Sequence, residues 1–174
     1  MKSRRGMTLV ELLISLAISP ALLVALAAAF HASSSTVESN DSYFRCTQTA
    51  RVMLEQIVTE LRRADAVKVS PTYASIEVIR PAEQLSPNEI YRQYSYDGPG
   101  NRVTLQIFFA DKTSSPVYEL ATHISACTFG PADTEMDSTN APVPVRIPIN
   151  ITCTAGGHSV TLTGAATPRR SLRN

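Results

Sequence analysis

The residue types that could do chemistry in this 174-residue chain are few and scattered, with one exception. Glu11 is the single charged residue between Met7 and Phe30, a run that is otherwise almost wholly apolar. If that run crosses a bilayer, its carboxylate stands in hydrocarbon, where one acid near a helix centre costs roughly 2.5 to 3.5 kcal/mol. Elsewhere the reactive groups lack partners at useful spacing. His31, His123 and His158 lie in unrelated contexts, with no G-x-S-x-G elbow and no Cys/His arrangement, so no catalytic residue and no enzyme are expected. Cys46, Cys127 and Cys153 contain no CxxC pair and no histidine at zinc-ligand spacing. Buried free thiols are one reading of them, and a Cys127–Cys153 bridge is the other if the domain lies outside the cytoplasm. Asp133, Glu135, Asp137 and Asn140 alternate like hard oxygen donors for calcium, but Ser138 and Pro144 stand where an EF-hand needs Gly and Glu. An exposed acidic loop without metal is expected there, and no cofactor is expected anywhere.

The element that positions Glu11 is a helix. Twenty-four residues from Met7 to Phe30 reach about 36 Å, enough to cross a hydrocarbon core of about 30 Å. Lys2, Arg4 and Arg5 precede this run and no basic residue follows until Arg45, so the positive-inside rule leaves the N-terminus in the cytoplasm and the body outside it. Without those three the chain holds 13 basic against 15 acidic residues, which argues against a nucleic-acid surface. Pro20 predicts a kink, with the carbonyl it frees seeking a partner such as Ser15.

The helical pattern resumes beyond Ser33-Ser34-Ser35-Thr36. Cys46, Ala50, Met53, Leu54, Ile57, Val58, Leu61 and Ala64 recur at three- and four-residue steps among charged residues, an amphipathic helix that needs an apolar surface. Continuous with the membrane segment, it would make a rod of about 90 Å ending near Ala66. After Ser70-Pro71 the period becomes two. Strands are predicted at Ile76 to Val78, Ile90 to Tyr96 and Val103 to Phe109, the last two a hairpin across Asp97-Gly98-Pro99-Gly100-Asn101. Further strands are predicted at Val117 to Leu120, His123 to Phe129, Val145 to Cys153 and Val160 to Leu162, with a hairpin turn at Gly156-Gly157. Residues 130–144 read as a long loop, Pro144 and Pro148 suggest an edge position or irregular pairing, and the tail from Pro168 reads as solvated or paired only at its rim. The predicted class is α+β, with the helix as one wall of the core and an antiparallel sheet as the other.

Arg4-Arg5-Gly6 followed by Met7-Thr8-Leu9-Val10-Glu11-Leu12-Leu13-Ile14 resembles the leader of type IV prepilins and type II secretion pseudopilins. The resemblance implies cleavage between Gly6 and Met7 by a prepilin peptidase and N-methylation of Met7. Glu11 would be the acid of subunit assembly, meeting the neighbouring subunit's amine, since two apposed buried charges cost less than either alone. Met7 departs from the phenylalanine usual there. The implied organisation is a cleaved leader over 1–6, a transmembrane and filament-core helix over 7–36, and a periplasmic pilin-like domain over 37–174 that begins with the amphipathic helix.

Residues Met53 to Ala64 and the closing Ser171-Leu172-Arg173-Asn174 look like the J-type minor pseudopilins or the W-type minor pilins. The J type implies a tip complex with I- and K-type pseudopilins that primes a pseudopilus at the bacterial inner membrane and helps secrete folded exoproteins. The K type usually lacks the acid that this chain carries at Glu11. Two other readings stay open. A secretory signal could be cleaved near Ala27-Ala28-Ala29, and a single-pass periplasmic binding module would share the anchor but have no need of Glu11.

Overall fold

A computed structural model describes residues 8–81, 88–136 and 142–169. The chain divides into two compact units, Met1–Asp41 and Ser42–Asn174.

Within the first unit the described residues are helical and exposed almost throughout. Helix α1 spans Leu9–Arg63 and is not interrupted at Pro20. The carbonyl that Pro20 leaves without a donor belongs to Leu16, four residues earlier. The expected partner, Ser15, is engaged elsewhere: its hydroxyl donates to the Glu11 carbonyl at 2.8 Å, and the Ser19 hydroxyl donates to the Ser15 carbonyl at 2.7 Å.

Among its described residues the second unit holds the later part of α1 and nine strands. A five-stranded antiparallel sheet runs in the order β1 (Ala66–Val69), β2 (Ser75–Ile79), β3 (Glu89–Asp97), β4 (Arg102–Phe109), β5 (Tyr118–Thr122). The predicted hairpin is β3 and β4, paired from Glu89↔Phe109 to Asp97↔Arg102. Its turn is held by the Gly100 N–H on Asp97 Oδ1 at 3.3 Å and by Arg102 Nε on Asp97 Oδ2 at 2.8 Å. Strand β1, which follows the helix after two residues, was not predicted. Four residues of pattern Ala-Val-Lys-Val are too short to separate a strand from the last helical turn.

The second sheet is built around β8 (Pro142–Ala155). It pairs with β6 (Ile124–Phe129), β7 (Asp133–Met136) and β9 (His158–Ala166). Gly156 and Gly157 take φ of 58° and 78° in the two-residue β8–β9 turn, a geometry that favours glycine at both positions. Two expectations are corrected here. Strand β7 lies inside the predicted loop 130–144, and because all four of its residues are exposed it shows no apolar alternation to read. Strand β8 is no edge, since Ile149 to Cys153 pair with β6 on one side and β9 on the other. The irregularity that Pro148 suggested is real: β7 pairs β8 up to Arg146 and β6 pairs it from Ile149, so Ile147 and Pro148 fall in the gap. The predicted tail is corrected at its start, because Pro168 is buried; residues 170–174 lie outside the described ones.

The predicted α+β class is what the structure has, a long N-terminal helix on antiparallel sheets. Cys46, Ala50, Met53, Ile57 and Leu61 form the buried stripe of α1, at steps of three and four. They meet Ile76, Val78, Tyr94, Val103 and Leu105 of the first sheet and Ile124, Phe129, Ile147, Ile149 and Ile151 of the second in one core. Each such aliphatic side chain withdrawn from water contributes about 1.5 to 3 kcal/mol, which is why the helix adheres without any strand-like backbone pairing.

Candidate functional site

Glu11 sits in the first turn of α1, and what surrounds it is local. The Thr8 N–H donates to Glu11 Oε2 at 2.8 Å, the Thr8 hydroxyl donates to the same oxygen at 3.0 Å, and the Glu11 N–H donates to Thr8 Oγ1 at 3.3 Å. This reciprocal arrangement is a capping box, in which the cap residue and the acid three positions later satisfy each other's otherwise unpaired amides. Thr8 was missed as a site residue, although Thr-x-x-Glu ahead of an apolar run was legible. The carboxylate is therefore held at the helix start by hydrogen bonds to the charged form, and the helix dipole favours a negative charge there. Gly6 and Met7, the expected cleavage and methylation positions, lie outside the described residues.

The helix that carries Glu11 is long and apolar enough to cross a membrane, and none of its most apolar stretch is buried. Leu9, Leu16, Leu23 and Phe30 are each more than 60% exposed, a surface that needs lipid or protein to cover it.

Residues 1–29 match the model of the prokaryotic N-terminal methylation motif. The matched part is the basic leader and the start of α1, Glu11 included. It supports a protein of the type IV pilin and pseudopilin kind, and with it the helix-on-sheet architecture is consistent with a pilin-like fold. The methylation motif implies processing by a prepilin peptidase and assembly with other pilins, and the single apolar helix fits the membrane anchor typical of them. No curated protein and no solved structure matches the chain.

Of the two readings of the cysteines, the Cys127–Cys153 bridge is corrected, and buried free thiols hold for Cys127 alone. Cys153 on β8 is bonded to Cys46 on α1, with Cα atoms 6.2 Å apart, and Cys127 is a buried free thiol. The reason is register. Cys127 faces Ile151 and Cys153 faces Ile124, so the two cysteines are diagonal neighbours on adjacent strands. Diagonal Cα pairs lie about 7 to 8 Å apart, beyond comfortable disulfide reach, whereas the helix brings Cys46 down onto the sheet face. Burial pushes the Cys127 thiol up to about 12, keeping it protonated.

Of the four oxygen donors considered for calcium, Asp133 and Glu135 lie exposed on β7, and Asp137 and Asn140 lie outside the described residues. His31, His123 and His158 are exposed and far apart in sequence; the His158 ring packs edge-on against Tyr43 at 5.7 Å. A groove of about 280 Å³ beside β5 is lined by Gln48, Thr49, Val52, Met53, Gln56 and Leu120, none of them titratable.

One partly buried charge cluster escaped the sequence reading. Arg92 on β3 donates through Nη1 to Glu60 Oε1 on α1 and through Nε to Glu89 Oε1, each at 2.8 Å. Burial alone would pull the guanidinium down, but the bonds to Glu89 and Glu60 outweigh it and hold Arg92 above its ordinary value. Tyr94 lies beside them, fully buried, and burial followed by the Glu60 charge pushes its phenol well above the usual range. Neither Tyr94 Oη nor Glu60 Oε2 has a hydrogen-bond partner among the described residues.

Proposed function

We propose that the chain is a J-type minor pseudopilin of a type II secretion system. In this reading it is a structural, non-catalytic subunit of the pseudopilus tip complex, assembled with I- and K-type pseudopilins and helping to move folded exoproteins outward. Its place is the bacterial inner membrane, with the N-terminus cytoplasmic and the sheet domain periplasmic. The observation that carries the reading is Glu11, capped by Thr8 at the head of an exposed apolar helix inside the matched methylation motif.

The physical logic is that of a prepaid charge. Both Thr8 bonds fall on Oε2, so Oε1 is the oxygen that would accept from an incoming amine. Cleavage after Gly6 would create that amine at Met7, one residue before the cap, and a neighbour's methylated Met7 would then find an oriented carboxylate. An ion pair in hydrocarbon has one axial position at which both charges are satisfied, and so sets subunit register.

Two measurements on the chain expressed with its own secretion machinery test the reading. Mass spectrometry of the membrane-extracted protein should find methylated Met7 as the first residue, and Glu11→Ala should remove the chain from filaments while leaving it in the membrane. A first residue near Phe30 would mean a secretory signal, and unchanged assembly of Glu11→Ala would favour a membrane-anchored binding module. Co-purification with pilus subunits instead of I- and K-type pseudopilins would shift the assignment to a W-type minor pilin.

A further inference from the structure

Asparagine followed two residues later by Ser or Thr occurs twice in the chain, at Asn40-Asp41-Ser42 and at Asn150-Ile151-Thr152. This is the acceptor pattern for an N-linked glycan. The first copy alone has an acid two residues before the asparagine, Glu38, which completes the longer Asp/Glu-x-Asn-x-Ser/Thr form; the second has Pro148 there.

The fold treats the two copies differently. Asn150 lies in β8 with Thr128 of β6 on one side and Thr163 of β9 on the other, so its backbone cannot leave the sheet without breaking two ladders. Asn40 is exposed on α1, as are Glu38, Asp41 and Ser42. Eight of the ten residues from Ser33 to Ser42 are Ser, Thr, Asn or Asp, types that favour caps and turns over helix interiors. Ser35 and Thr36 turn their hydroxyls back onto the Ala32 carbonyl, at 3.1 and 2.9 Å, a contact that competes with the helix's own bonds. No residue from Ser33 to Ser42 is buried, so packing does not hold this stretch wound and a turn can open there at low cost.

We propose that Asn40 is an acceptor for an N-linked oligosaccharide, delivered from a polyprenyl diphosphate carrier by a membrane-bound transferase. Asn40 meets that enzyme only if, as proposed above, the chain beyond the apolar run lies outside the cytoplasm. It stands ten residues past Phe30, about 15 Å along the helix, near the membrane face to which a lipid-borne donor is confined. In the transfer the Asn40 amide nitrogen attacks the anomeric carbon of the sugar. A C–N bond forms, the C–O bond to the diphosphate breaks with its electron pair, and polyprenyl diphosphate leaves. The amide loses one proton to the transferase's base, and nothing is oxidised or reduced.

The test is mass spectrometry of the full chain, expressed in bacteria that hold such a transferase and its lipid-linked oligosaccharide, beside the same cells lacking the transferase. One oligosaccharide mass should appear on the tryptic peptide ending at Arg45 and on none containing Asn150. Asn40→Gln and Ser42→Ala should abolish it, and Glu38→Gln should lower its occupancy severalfold. A companion chain carries the same five residues, Glu-Ser-Asn-Asp-Ser, appended after Asn174. Modification of that appended copy without Asn40 overturns the acceptor assignment while leaving the membrane orientation intact. Modification of neither overturns both. Sugar on Asn150 in place of Asn40, or unchanged occupancy in Glu38→Gln, also overturns the assignment.

Discussion

Arg92 Nη1 donates to Glu60 Oε1 across 2.8 Å, joining β3 to the last buried turn of α1. The same guanidinium satisfies Glu89, whose side chain is 1% exposed. Removing it takes a charge-assisted partner from both carboxylates at a partly buried site, which costs more than the pair itself contributes. Arg92→Ala is therefore expected to lower stability by about 2 to 4 kcal/mol, read as a shift in the urea midpoint. Glu60→Gln, which keeps an acceptor, should cost clearly less.

Tyr94 makes the opposite prediction. Its hydroxyl is buried beside Glu60 and Gln56 and makes no hydrogen bond of ordinary geometry among the described residues, so Tyr94→Phe removes a desolvated group and loses at most a weak contact. Its stability should match or exceed the parent's by up to about 1 kcal/mol. Because burial and the Glu60 charge raise the phenol above its ordinary 10.0, the folded state favours the neutral ring. That contribution is complete below about pH 10 and is lost as pH rises further. The parent's thermal midpoint should fall more steeply above pH 10 than that of Tyr94→Phe; parallel curves would sink the assignment.

Gly164 on β9 lies under the helix. A Cβ built there would stand 3.0 Å from Leu54 Cδ1, so alanine requires a small shift and a branched side chain a larger one. Gly164→Val is expected to cost about 1 to 3 kcal/mol in chemical denaturation, and Leu54→Ala in the same chain should recover part of it.

Thr8→Val keeps the shape of the cap and removes its hydroxyl. The loss should be about 1 kcal/mol, seen in micelles as several-fold faster amide exchange confined to Leu9 through Leu12. Thr8→Ser should restore the parent rate.

Local pattern carried most of what was legible in the sequence. Glu11 within an apolar run, the basic leader and the three- and four-residue steps from Cys46 to Ala64 are all set by neighbours along the chain. So are the alternation of Val103 to Phe109 and the glycine pair at 156–157; the structure has the buried helical stripe from Cys46 to Leu61, the strand and the glycine turn. Strand β7 was not legible, because its residues are exposed on every side and their pairing with β8 depends on a partner about ten residues away.

The sequence by itself determined the segment types: an apolar helix with one acid, an amphipathic continuation and hairpin-forming strands. Composition and periodicity act over a few residues, and no partner is needed to read them. The tertiary structure alone decided which cysteine meets Cys153, that β8 is central, and that Glu60, Glu89 and Arg92 converge. Those outcomes follow from strand register and from how the helix lies on the sheets. Cys46 and Cys153 are 107 residues apart, and only the packed core brings them within bonding reach.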